Sequence, residues 1–338
     1  MRLDVATKFQ DAKLHEAVRY ALDQLIVAQY PNGAWPQRFT GAPEAEKYPV
    51  KQASYPESWS RTWPGSKYQS HYTFNDNAMS DVVDVMLEAA VIYEQPKYRQ
   101  AAIRCGEFIL LAQMPEPQPI WAQQYDADMH PAWARKFEPP SVTGGESQGV
   151  IATLLQLYRE TGEKKFLAAC APALKYLKQI ELAPGRIARF YELKSGKPLY
   201  FTKDYQLTYD DSDMPTHYGF KLGTKVDTLQ AEADQLAQSQ SAAAEAHRQL
   251  VEVSYQRLEK VSRQEAGLIA RQELDEALAR KRSAEAQVAA RGGAVRGGHR
   301  VDQVLEPGGH RIDDRDLVAV LGIDLDVAGL VHRLGRGI

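Results

Sequence analysis

Cysteine is scarce in this chain. Only Cys105 and Cys170 occur among 338 residues, which excludes a disulfide framework and a cysteine-built zinc site. Long apolar runs are missing too: no stretch reaches the roughly 18 consecutive apolar residues of a membrane-spanning helix. The start MRLDVATKFQDAKLHEAV lacks the basic-then-apolar pattern of a secretory leader. Net charge is small, −3 with a pI near 6.3, which argues against a protein built to coat nucleic acid. Histidines never fall at i, i+4 spacing, so a helix-borne zinc pair is not expected. Phosphate-cradling and nucleophile-elbow motifs are likewise absent. What remains, 44% hydrophobic, 9% aromatic and 25% charged residues, suffices to bury one large core or two smaller ones.

Composition breaks along the chain. All nine Phe and five Trp lie before residue 221, the last Tyr is Tyr255, and no Lys follows Lys281. From Val226 to Ala290 the chain is Ala, Gln, Glu, Arg and Leu with almost no Gly or Pro, which favours one or two long helices. Leu229, Ala233, Leu236, Leu250, Val253, Leu258 and Val261 stand at roughly heptad spacing, so a partner helix is expected. Beyond Arg291 the sequence is rich in Gly and Arg without an aromatic residue, and such a tail cannot build a core alone. Three parts result: 1–230, a helical or coiled-coil segment 231–290, and a tail 291–338 expected to be disordered.

Within the aromatic part, Leu14, Val18, Leu22, Leu25 and Ile26 mark a helix that Pro31, Asn32 and Gly33 end. A second helix carries Ala78, Val82, Val85, Met86, Ala89 and Tyr93, with Asn75 and Asp76 suited to its N-cap. Further helices are expected over 98–113, 147–161 and 165–178, the last tolerating Pro172 in its first turns. Helix, proline turn and aromatic extended piece recur in DQLIVAQYPNGAWPQRF, EFILLAQMPEPQPIWAQQYD and LKYLKQIELAPGRIARFYE. The first two repeats are 84 residues apart at Gln29 and Gln113 and 86 apart at Trp35 and Trp121. Such repeats predict helical hairpins stacked around an axis, with loops from distant segments lining one cleft.

Those loops carry candidate chemistry. Asn75, Asp76 and Asn77 cluster oxygens that would suit a hard cation such as Ca²⁺, although capping groups explain such clusters as well. Arg135 lies between Trp133 and Phe137, and Arg189 precedes Phe190 and Tyr191. With Lys203, and Arg38 or Lys136 as further candidates, they would form a cationic floor for a polyanion, while Trp35, Trp121, Trp133 and Tyr125 would stack on sugar faces. Ordinary packing and surface ion pairing is the alternative for each. The acidic residues Asp76, Asp126, Glu138 and Glu146 leave a glycosidase pair open.

At AQYPNGAWPQ, HYTFNDNAM, WAQQYD, ARKFEPPSVTGGES and ARFYELKSGKPLYF the chain resembles the family-10 polysaccharide lyases, the pectic acid lyases, over roughly residues 7–230. The resemblance implies an all-α fold, an (α/α) toroid, that cleaves polygalacturonate by Ca²⁺-dependent β-elimination. It implies Arg135 as the catalytic base, Asp76 as a calcium ligand beside Asn75, and Arg189 with Lys203 as holders of substrate carboxylates. It also implies a secreted or periplasmic enzyme. Two departures stand out. The family's earlier Asp/Asn motif finds no counterpart near Leu14, so the toroid is expected to lack its first helix. Residues 245–290 resemble the helical hairpin of periplasmic adaptor (membrane fusion) subunits, which points to a fusion or a misassembled reading frame. The alternatives are a structural or carbohydrate-binding protein with an inactive toroid, and an (α/α) glycoside hydrolase. No membrane insertion is expected, and association through helices of 231–290 is.

Overall fold

The computed structural model describes residues 12–37, 42–65, 67–264 and 271–294. Seven α-helices lie among them: α1 (Ala12–Ala28), α2 (Ser80–Tyr93), α3 (Pro96–Ala112), α4 (Glu146–Thr161), α5 (Lys164–Gln179), α6 (Val226–Gln264) and α7 (Arg271–Ala294). Ala12–His247 make one compact unit, and the described residues from Arg248 onward another. Arg38 and residues 295–338, hence most of the tail, lie outside the described residues. No described helix is long and apolar enough to cross a membrane.

Two antiparallel hairpins, α2 with α3 and α4 with α5, carry the first unit, and α3 packs on α4 to join them. Each helix buries one stripe. On α2 that stripe is Val83, Met86, Leu87 and Ala89, with Val82, Ala90 and Tyr93 packed beside it. Val85, expected inside, is 43% exposed because the buried face lies on the Val83–Leu87 side. On α1 only Leu22 and Ala28 are fully buried, Leu25 and Ile26 pack against the core, and Leu14 and Val18 face solvent. Pro172 sits in the middle of α5 rather than its first turns, where it removes one backbone donor.

The repeated tryptophans and glutamines explain how the hairpins lock. Gln29, just past α1, donates to Ala101 O of α3 at 2.9 Å, and Gln113, just past α3, donates to Ala169 O of α5 at 2.9 Å. After each proline turn an indole returns to its own helix: Trp35 Nε1 donates to Leu25 O at 2.7 Å and Trp121 Nε1 to Ile109 O at 2.8 Å. One glutamine thus reaches the next outgoing helix, and one tryptophan seals the turn. The polar tips are satisfied while the rings bury fully.

Gly33 shows how tight the first turn is. Its φ is +96° and a Cβ there would stand 2.1 Å from Arg104 O, a contact no side chain adopts. Arg104 meanwhile donates to Gln29 Oε1 at 2.6 and 2.9 Å. Gly33→Ala is expected to lower stability by roughly 3 kcal/mol, from backbone strain plus overpacking. Urea unfolding should show this as a lower midpoint at unchanged slope; a variant with the parent's midpoint would mean that the turn relaxes freely.

Short strands supplement the helical frame. They are β1 (Tyr72–Thr73), β2 (Gln124–Tyr125), β3 (Val142–Thr143), β4 (Arg186–Ala188), β5 (Phe190–Tyr191), β6 (Pro198–Phe201), β7 (Leu207–Thr208) and β8 (Lys221–Gly223). They pair as β1–β2, as β3–β5–β6–β7 and as β4–β8, all antiparallel. The second unit holds the end of α6 with α7, where Lys281 Nζ meets Glu252 at 3.0 Å and Ala277 and Ala284 are buried.

Candidate functional site

Two-residue ladders position the site. Pairing of Tyr72 with Tyr125 and Thr73 with Gln124 lays the 74–77 turn against Gln123. Phe74 N donates to Gln123 O at 2.8 Å, and Gln123 Nε2 donates to Asn75 Oδ1 at 2.9 Å. That turn is a short 3₁₀ segment, Asn75–Asn77, with Asp76 and Asn77 at φ +53° and +56°. Asx residues tolerate the left-handed region better than most, but two in succession cost energy that the neighbouring contacts must offset. Asn75 and Asp76 therefore do not cap α2, whose N-cap is Met79 without a side-chain bond. Asn75 is buried and donates to Asp76 Oδ2 at 3.3 Å, while Asp76 faces solvent.

Arg135 and Glu138 close a turn of their own. Glu138 N donates to Arg135 O at 2.9 Å, Arg135 N donates to Glu138 Oε2 at 3.1 Å, and Arg135 Nη2 donates to Glu138 Oε1 at 2.5 Å. Glu138 is 1% exposed, and Asn75 Nδ2 and the Tyr218 hydroxyl also donate to its Oε1, at 3.5 and 3.1 Å. Pairing of β3 with β5 brings Arg189 to the start of α4. There Arg189 Nη1 donates to Glu146 Oε1 at 2.5 Å and its Nε to Gly219 O at 2.7 Å. Arg189 N also donates to Phe220 O at 2.8 Å, which fixes Tyr218 two residues away.

Tyr218 lies under both arginines: the Arg189 guanidinium stands 4.6 Å and the Arg135 guanidinium 5.5 Å from its ring centre. Phe137 adds a second face for Arg135 at 5.0 Å. Gln123 ties the halves together, its Nε2 reaching Asn75 Oδ1, the Tyr218 hydroxyl at 3.1 Å and Glu146 Oε1 at 3.3 Å. Gln123 Oε1 is buried with no hydrogen-bond partner. Such an orphan acceptor is unusual in a folded interior.

Charge in this cluster is balanced pair by pair. The Glu138 hydrogen bond and charge, with smaller contributions from Tyr218 and Asp76, hold Arg135 above the ordinary arginine range, against a desolvation cost that acts the other way. Burial, and then the charge of Glu138, pushes the Tyr218 phenol up, so it remains a hydroxyl. Glu138 and Glu146 each sit in an arginine pair. Neither is placed as the free carboxylic acid that a glycosidase pair requires.

Of the residues expected from the sequence, Asn75, Asp76, Arg135 and Arg189 come together here. Trp35, Trp121 and Tyr125 do not: they are 1%, 0% and 0% exposed. The Tyr125 hydroxyl donates to Ala112 O at 2.5 Å, and the indoles seal the proline turns described above. No sugar face reaches them, so they are core residues rather than stacking platforms. Lys203 stands apart, its side chain 68% exposed and paired with Asp213 at 2.9 Å. Lys136 lies 3.5 Å over the Tyr205 ring. Gln123 and Tyr218 were not expected; each is one polar side chain without a motif, and only non-local strand pairing places it. Among the described residues no group of three or more His, Cys, Asp or Glu is arranged to hold a metal ion.

A family model described as pectic acid lyase matches residues 3–157. A solved family-10 polysaccharide lyase from Cellvibrio cellulosa is similar at 23% identity and a TM-score of 0.52, covering 69% of this chain and 76% of that one. An aspartate-to-alanine variant of a family-10 polysaccharide lyase from the same organism, in complex with trigalacturonic acid, gives 23% identity and a TM-score of 0.50, over 70% of this chain and 76% of that one. No curated protein matches. The helical-toroid architecture expected above is therefore the fold of this chain. Residues 3–157, which hold Asn75, Asp76, Gln123, Arg135, Glu138 and Glu146, match the pectic acid lyase family model, and the fold they belong to is similar to that of the solved family-10 polysaccharide lyases.

Proposed function

We propose that this chain is a polysaccharide lyase that cleaves polygalacturonate by β-elimination, with Arg135 as the proton-accepting group, Arg189 holding a substrate carboxylate and Asp76 facing a calcium ion. The observation that carries this reading is the seating of the Arg135 and Arg189 guanidiniums on one Tyr218 ring, beside an Asp76 whose charge reaches Arg135. Elimination breaks the C5–H bond, forms the C4–C5 double bond and releases the neighbouring sugar through O4. The difficulty lies in the adjacent carboxylate, whose negative charge makes C5–H a poor acid until it is neutralised. Cationic groups on that carboxylate are what the reaction needs most, and Arg189 offers a fork for bidentate binding. Lys203, as a point charge, would steer more distant carboxylates rather than grip one.

For a hard cation the chain offers Asp76 and the orphan oxygen of Gln123, well short of the roughly six to eight oxygens that Ca²⁺ takes. This set fits an ion shared with the substrate's own carboxylates and water, and a weak one without them. When bound, the ion would withdraw charge from the substrate carboxylate and disfavour the protonated form of Arg135. Glu138 keeps Arg135 aimed and satisfied until substrate arrives. The polymer lies outside cells, so the enzyme is proposed to work in a secreted or periplasmic setting.

Incubation with polygalacturonate should raise the ultraviolet absorbance of an unsaturated uronate, more with Ca²⁺ than with a chelator. New reducing ends without that absorbance would mean hydrolysis and would end the elimination reading.

A further inference from the structure

Of five tryptophans, Trp35, Trp121 and Trp133 are buried and Trp59 is half-buried, while Trp63 is 41% exposed. Exposure alone would mean little, but this indole is held in place. Trp63 Nε1 donates to Ala134 O at 2.9 Å, and Trp133 Nε1 donates back to Ser60 O at 2.9 Å. This reciprocal pair clamps the 60–63 loop to the residue that precedes Arg135. A large, rigid, exposed aromatic beside an active-site loop loses little entropy on binding, which is what makes a stacking surface effective.

Two residues away, Arg61 continues the same surface. Its guanidinium lies 4.9 Å over the ring of Tyr209, itself 45% exposed, and Nη1 donates to the Tyr209 hydroxyl at 3.1 Å. Lys197 approaches the same ring at 5.3 Å and has no ion-pair partner among the described residues. The acid paired with Arg61, Glu192, is turned inward. Its carboxylate is covered by the Arg61 ion pair, by the Tyr209 hydroxyl at 2.6 Å and by the Ser195 hydroxyl at 2.5 Å. Outward, the surface shows the Trp63 and Tyr209 faces with the cationic groups of Arg61 and Lys197 beside the Tyr209 ring. A uronate presents the complementary chemistry: a C–H face on the ring and one carboxylate per sugar.

We propose that Trp63, Arg61, Tyr209 and Lys197 form an accessory subsite for a galacturonate unit of the same polymer, beyond the units held by Arg135 and Arg189. The inference rests on the proposed function for the identity of the polymer, and not on elimination taking place. Its expected mark is length dependence, a longer oligomer covering more of the Trp63 surface than one held chiefly at Arg135 and Arg189.

Calorimetric titration of parent and Trp63→Ala with trigalacturonate and with hexagalacturonate tests it. The ratio of hexamer to trimer affinity is expected to fall about tenfold in Trp63→Ala, the range of one aromatic stacking contact. Trp63→Phe, which keeps a ring, should recover part of that loss, and Lys197→Gln should lower the ratio more at low salt than at high. An unchanged ratio in Trp63→Ala, whether both affinities hold or both fall equally, overturns the subsite. If the ratio falls as expected in a chain that yields no unsaturated product, the subsite stands and only elimination fails. If the parent eliminates and the ratio is unchanged, elimination stands and the subsite fails.

Discussion

Arg135→Ala is expected to slow elimination of polygalacturonate by roughly 10³-fold in kcat, the middle of the range for a positioned proton-transfer group. The variant also strips the buried Glu138 carboxylate of its strongest donor. Breaking that pair costs roughly 2 kcal/mol once the 37% exposure of the Arg135 side chain is allowed for. A loss of activity through unfolding must therefore be separated from a loss of chemistry. Arg135→Lys does so, since an ammonium still satisfies Glu138 but cannot reproduce the flat guanidinium stacked between Phe137 and Tyr218. It should melt within a few degrees of the parent and still turn over at least about 100-fold more slowly. Sign matters for pH as well. Because pairing raises the proton affinity of Arg135, its stabilising effect is complete below the unfolded arginine range and fades only as pH climbs through the still higher folded value. The pair is thus constant at working pH, and no acid-induced melting traces to Arg135. Parent-like kcat in either variant would remove Arg135 from the chemistry.

The helices were legible because each needs only a local pattern. Apolar residues at 3.6-residue spacing and the stops at Pro31–Gly33, at Pro115 and at Pro184 locate α1, α3 and α5 within a few residues. What the pattern does not encode is which way a ring turns after a stop. Trp35 and Trp121 follow proline turns in sequence just as a binding aromatic would, and only the Leu25 and Ile109 carbonyls behind them reveal a structural role. Trp63 is the converse: nothing in SRTWPG marks it, and its anchor is 71 residues away. The strands escaped notice because two to four residues are too few for alternation to register, and those same ladders deliver Arg189, Tyr218 and Gln123 to the site. Asn75, Asp76, Arg135 and Arg189 were recognisable in motifs, but their mutual distances depend on pairings such as β3 with β5, 49 residues apart at Val142 and Tyr191. Chemistry-bearing residue types are visible locally; the partners that tune them are not.

Glu138 is such a partner, and Glu138→Gln should separate two ways in which it serves Arg135. In the parent, its carboxylate accepts from Arg135 Nη2, Arg135 N, Asn75 and Tyr218. An amide of the same shape has one oxygen and one N–H₂ group, so at least one of those donors must face another donor. In a buried network that mismatch is expensive. Loss of aim on Arg135 is expected to lower kcat by about 100-fold, the size of a removed preorganised contact. The pH profile should move in a direction that mere misfolding does not produce. Glu138 supplies the largest share of the upward pull on Arg135. Removing its charge lets the guanidinium lose its proton more easily, and the rising limb of log kcat/KM against pH should shift to lower pH. Glu138→Asp, which keeps the charge on a shorter arm, should lose kcat without that shift. A limb that stays in place in Glu138→Gln while kcat falls would mean that Arg135 acts as a fixed cation on the substrate carboxylate, and that some other group takes the C5 proton.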